Sequence, residues 1–125
     1  MAKRNLFGQM TYAINKNFTE RVDERAYKQA NGKGMGNEIF SYREKYRLKQ
    51  LAKSFQIYAK ENNLNVKLVK EIKAEYVQGF LEGAKEHWCT QNIINSYANS
   101  LFKIQYTLNS TYNLNLKWRE EIAIP

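Results

Sequence analysis

Few residues in this chain are of a type that does covalent or metal chemistry, and their spacing does not assemble them. The only histidine, His87, and the only cysteine, Cys89, stand two apart beside Glu86. One His and one Cys fall short of the three or four ligands that hold zinc. As a nucleophile and base they are the right types, and Cys89 precedes a helical segment whose N-terminus would acidify a thiol. No third group stands out to orient the base, so the pair reads as incidental. Glu82 and Glu86, four apart on one helix, read as a solvated face. Gly32-Lys33-Gly34 lacks the spacing and the Ser or Thr of a phosphate-binding P-loop and reads as a flexible loop. None of the nine tyrosines has an activating partner. The expectation is a chain with no active site of its own, no metal and no cofactor.

The chemistry that the sequence does offer is recognition of a polyanion. Twenty Lys and Arg against twelve Asp and Glu give a net charge of +8 in 125 residues, which favours nucleic acid first and an acidic membrane surface second. Residues 1–50 hold eleven of the basic and five of the acidic side chains, so most of the excess lies there. Helical spacing puts Arg43, Arg47, Gln50 and Ser54 in line, with Lys53 beside them, Lys45 and Lys49 flanking and Tyr46 next to Arg47. Long cations with an amide on one face suit phosphates and base edges in a major groove, and the same row suits an ordinary solvated face. A second row holds Gln91, Asn92, Asn95, Ser96, Asn99 and Lys103, with no acidic residue from Gln91 to Asn109. Asn is a poor helix former, so propensity does not account for so many. Asn and Gln pair with adenine edges, although Asn is frequent throughout this chain and its abundance here could reflect composition alone.

Three helices must position these rows. Ser41 followed by Glu44 is a capping-box pattern opening a helix to about Asn62, with Leu48, Leu51, Ala52, Phe55, Tyr58 and Ala59 on its apolar stripe. A second runs from about Ala74 to His87, with Tyr76, Val77, Phe80, Leu81 and Ala84 inward; Gly79 and Gly83 within it each cost about 1 kcal/mol against Ala. The third follows Thr90 as N-cap and turns Ile94, Tyr97, Ala98, Leu101, Gln105, Leu108 and Tyr112 to one side. Leu64–Ile72 reads as a connection that buries a few side chains. Upstream, Leu6, Met10, Ala13 and Ile14 suit one helix, Thr19–Ala30 suits another, and Asn31–Asn37 is a loop by composition. The tail from Asn113 turns irregular, with Trp118 and Ile122 able to pack back.

The order Ser41-Tyr-Arg-Glu-Lys-Tyr-Arg-Leu-Lys-Gln-Leu-Ala-Lys-Ser-Phe, then Ile72-Lys-Ala-Glu-Tyr-Val-Gln-Gly-Phe-Leu81, then Cys89-Thr-Gln-Asn-Ile-Ile-Asn-Ser-Tyr-Ala-Asn-Ser-Leu101 resembles the core-binding domain of tyrosine recombinases and phage integrases. The similarity covers roughly residues 40 to 112 and rests on loose patterns of helix-core residues. It implies a SAM-like, all-α bundle of four to five helices forming half of a clamp around duplex DNA, with two helices in the major groove. By position it carries DNA contact onto Arg43, Arg47, Gln50 and Lys53 of the first helix. On the third it falls on Gln91, Asn92, Asn95, Asn99 and Lys103. The family's catalytic domain, with its Arg, His and nucleophilic Tyr, is missing, so the chain is expected to bind DNA without cutting it.

The expected organisation is a basic helical arm at 1–37, a helical DNA-binding core at 38–113 and a linker toward a catalytic domain at 114–125. Duplex DNA is the expected partner, with further recombinase protomers on it, and neither a membrane nor a small-molecule substrate. The single cysteine and the lack of a signal-like or membrane-spanning run suggest a cytoplasmic, reducing location. Two other readings fit the same residues: a stand-alone DNA-binding accessory or regulator of a mobile element, and a helical protein–protein adaptor.

Overall fold

The computed structural model describes residues 5–19, 38–87 and 89–125. Within them the chain is an all-α bundle of helices α1 (Leu6–Lys16), α2 (Tyr42–Glu61), α3 (Ala74–His87), α4 (Gln91–Tyr112) and the short α5 (Trp118–Glu121). A single turn of 3-10 helix, Val69–Glu71, interrupts the connection between α2 and α3. The expected helix over Thr19–Ala30, apart from Thr19, and the loop at Asn31–Asn37 lie outside the described residues. No helix among those described is long and apolar enough to cross a membrane.

Side-chain oxygens open three of the helices. Asn5 accepts from Gly8 N at 2.8 Å at the start of α1, Ser41 from Glu44 N at 3.1 Å at the start of α2, and Thr90 from Ile93 N at the start of α4. Such a cap satisfies one of the otherwise orphaned amides and is worth about 1 kcal/mol. Three asparagines supply left-handed backbone that bulkier residues avoid. Asn63, Asn65 and Asn113 have φ of 53°, 54° and 54°, and Asn113 ends α4 there, its N–H bonded to Asn109 O.

The core lies where α1, α2 and α4 meet, with α3 covering α2 and α4. Leu6, Met10, Ala13 and Ile14 of α1 are buried with Leu48, Leu51, Ala52, Phe55 and Ala59 of α2. Val77, Phe80 and Leu81 of α3 and Ile94, Ala98, Leu101, Ile104 and Leu108 of α4 complete it. Helix α1 is therefore a wall of the same bundle as α2–α4, and its apolar face joins it to the core across the expected boundary at residue 37. A parallel bridge closes the far end of α1 onto the chain entering α2: Thr19 N donates to Ile39 O at 2.7 Å and Ile39 N to Asn17 O at 3.0 Å.

The 114–125 segment is also docked on the bundle. Trp118 is buried, and its indole Nε1–H donates to Ile72 O at 3.0 Å. Three side-chain amides clasp this segment by its backbone. Asn109 Oδ1 accepts from Leu116 N, and its Nδ2 donates back to Leu116 O. Gln105 Nε2 donates to Leu116 O while its Oε1 accepts from Arg119 N. Gln78 holds Ala123 from both sides, donating to its carbonyl and accepting from its N–H. Gln9 does the same for the connection before α3, donating to Lys67 O and accepting from Val69 N. A side-chain amide used in this way replaces a neighbouring strand, satisfying backbone groups in an irregular segment that has no ladder of its own.

Candidate functional site

Helix α2 presents its cations because its apolar stripe is narrow and faces the core. Arg43, Arg47, Gln50 and Lys53 are all exposed. Arg43, Arg47 and Gln50 follow one another at steps of four and three, so they share a face, and Lys53 stands one step round the cylinder. No hydrogen bond or ion pair holds any of the four among the described residues. On its α1 side the helix is tied down: Lys45 Nζ lies 4.4 Å from the centre of the Phe18 ring, which packs on Tyr42 at 4.9 Å. Lys49, between the two sides, is partly buried. Desolvation of its ammonium, and after it the charge of Lys45, draws its pKa below the ordinary lysine value.

The amide row of α4 divides in two. Asn92, Asn99 and Lys103, at steps of seven and four, lie along one line of the helix, and Asn92 and Asn99 are exposed. That line runs toward α2: Lys103 Nζ lies 3.8 Å from Glu44 Oε1 in the first turn of α2. The cationic face of α2 and the amide face of α4 therefore border one another at this contact. Gln91 and Asn95 belong to a different edge. Gln91 Nε2 donates both to Asn95 Oδ1 at 3.0 Å and to Pro125 O at 2.9 Å. Gln91 is thus engaged with the tail through its Nε2, while the side chain stays exposed.

Tyr46 and Tyr42 are the most exposed of the large apolar side chains, at 66% and 59%, and both lie among the cations of α2. The clasps made by Gln78, Gln105 and Asn109 carry no sequence motif, although Gln105 on an otherwise apolar stripe marks a buried polar group with a task.

The residues whose types suit covalent chemistry do not come together as a site. Cys89 is buried, whereas His87 and Glu86 are exposed. Glu82 accepts from Gln78 Nε2 at 3.1 Å. No group of three or more His, Cys, Asp or Glu suited to a metal occurs among the described residues. A hollow of about 850 Å³ opens between the start of α1, the end of α2 and the connection to α3, away from Arg43 and Arg47. Its lining mixes Leu6, Ala59, Val66 and Leu68 with Lys60, Lys67 and Glu71, and holds no nucleophile and base pair.

Comparison with protein-family models, with curated proteins and with solved structures returns no match.

Proposed function

We propose that this chain binds duplex DNA through the outer faces of α2 and α4, as the core-binding domain of a site-specific tyrosine recombinase or phage integrase. The observation that carries the DNA reading is the uncommitted row on α2: Arg43, Arg47, Gln50 and Lys53 are exposed with no partner among the described residues. Cations left free on a helix face are available to phosphates, whose neutralisation releases counterions and supplies most of the affinity. Asn92 and Asn99 offer paired donors and acceptors on the neighbouring helix, which has no carboxylate to repel a backbone. In this reading α2 grips, α4 reads bases, and Gln91 stays with the tail. The recombinase assignment rests on the run of helix-core residues from Ser41 to Leu101.

The test is titration of the chain against duplex DNA at several salt concentrations. A slope equivalent to about five or more phosphate contacts supports the reading. Weak binding at low salt overturns it. Where the duplex is bound, enrichment of one defined sequence from a randomised pool would support sequence-specific recognition over general DNA binding.

A further inference from the structure

Among the cations of α2 stands a side chain whose exposure no contact among the described residues explains. Tyr46 is 66% exposed, and neither a ring contact nor a hydrogen bond engages it among the described residues. Its neighbours at three and four residues along the helix are Tyr42, Arg43, Lys49 and Gln50, so the ring is framed by positive charge on both sides. Tyr42 is different, because its ring is held against Phe18 and beneath Lys45.

We infer that Tyr46 is the apolar anchor of the α2 interface, its ring packing flat on the sugar edges of a duplex while Arg43 and Arg47 take the phosphates on either side. The inference rests on the DNA reading above and adds to it a contact that charge alone does not provide. An exposed aromatic with a rigid ring loses little entropy when covered, which is why such residues anchor interfaces. The surrounding cations decide the partner. An apolar protein surface would have to desolvate them, whereas a polyanion built on apolar sugar rings satisfies ring and charges together.

The experiment compares Tyr46→Ala, Tyr46→Phe and Arg47→Ala with the unaltered chain. One ligand is a random-sequence DNA duplex across a salt series; the other is inorganic polyphosphate, which has the charge and no sugar. Tyr46→Ala is expected to bind the duplex roughly tenfold more weakly, with an unchanged salt slope and unchanged affinity for polyphosphate. Tyr46→Phe keeps the ring and should stay close to the unaltered chain. Arg47→Ala should lower affinity for both ligands and reduce the slope by about one. If the unaltered chain binds duplex while Tyr46→Ala matches it, the anchor is refuted and the DNA reading stands. If Tyr46→Phe loses as much as Tyr46→Ala, or Tyr46→Ala loses polyphosphate equally, the ring contact is refuted as well. Failure of the unaltered chain to bind duplex removes both readings together.

Discussion

Lys103 of α4 and Glu44 of α2 lie 3.8 Å apart, Nζ to Oε1, across the border between the two faces assigned to DNA. The carboxylate engages the one cation of α4 and is itself the only acidic group in the first turn of α2. A partly exposed pair of this kind is worth only about 0–1 kcal/mol of stability. On the proposed DNA interface its larger effect would be on binding, because Glu44 would repel phosphate and already pairs with Lys103. Glu44→Gln should therefore strengthen binding to duplex DNA several-fold and steepen the salt dependence, with a melting temperature close to the parent. Unchanged affinity at low salt would place Lys103 outside the interface.

Two glycines in α3 have opposite surroundings and should respond oppositely to a methyl group. A Cβ on Gly79 would stand 2.5 Å from Tyr58 Oη, while one on Gly83 meets nothing within 4 Å. Gly83→Ala is expected to stabilise the protein by about 1 kcal/mol through helix propensity. Gly79→Ala gains the same propensity but must displace a Tyr58 ring packed against Phe55 and Phe80, and overpacking typically costs about 1–3 kcal/mol. It should be neutral to destabilising in denaturant unfolding. Adding Tyr58→Phe, which removes the colliding oxygen, should restore most of the loss.

Glu71 ties stability to pH in the connection between α2 and α3. Its carboxylate accepts from Leu68 N at 2.9 Å and from Lys67 N at 3.2 Å. Those two backbone bonds, with smaller help from Lys70 and Lys67, hold its pKa below the ordinary glutamate value. A depressed folded-state pKa contributes stability above the unfolded value that is lost as pH falls through the folded one. Thermal melts of Glu71→Gln should therefore lie below the parent near neutrality and converge with it in acid. Parallel curves at all pH values would remove the carboxylate from this role.

How far the sequence foretold these arrangements follows from the range of the forces involved. The bounds of α2, α3 and α4 were legible because caps and apolar periodicity are local: Ser41, Thr90 and the Leu48–Phe55 stripe act within a few residues. Which outward residues stay free was not legible. Gln91 and Asn92 are adjacent and chemically alike, yet only a tail arriving from 34 residues away separates their roles. The placement of Leu114–Pro125 was hidden because its irregular backbone carries no period and is held by side-chain amides of α3 and α4. Much of the asparagine content also finds local work, at Asn5 as a cap, at Asn63, Asn65 and Asn113 in left-handed backbone, and at Asn109 as a clasp. Composition bias therefore need not account for those positions.

The amide clasps differ in burial, and that difference should set their cost. Gln105 is 2% exposed and satisfies Leu116 O and Arg119 N, whereas Gln78 makes an equivalent pair of bonds to Ala123 at the surface. Water replaces a lost partner at the surface but not in the interior, where each orphaned backbone group costs about 1–3 kcal/mol. Gln105→Leu keeps the bulk and deletes both bonds, so it should destabilise the protein by about 2 kcal/mol or more and speed amide exchange at Arg119. Asn109 still holds the Leu116 carbonyl in that variant, which confines the fastest exchange to the Arg119 side. Gln78→Ala should release Ala123 to exchange while costing well under 1 kcal/mol of global stability. Equal losses in the two variants would mean that the tail is held by Trp118 packing alone and that the clasps only set its path.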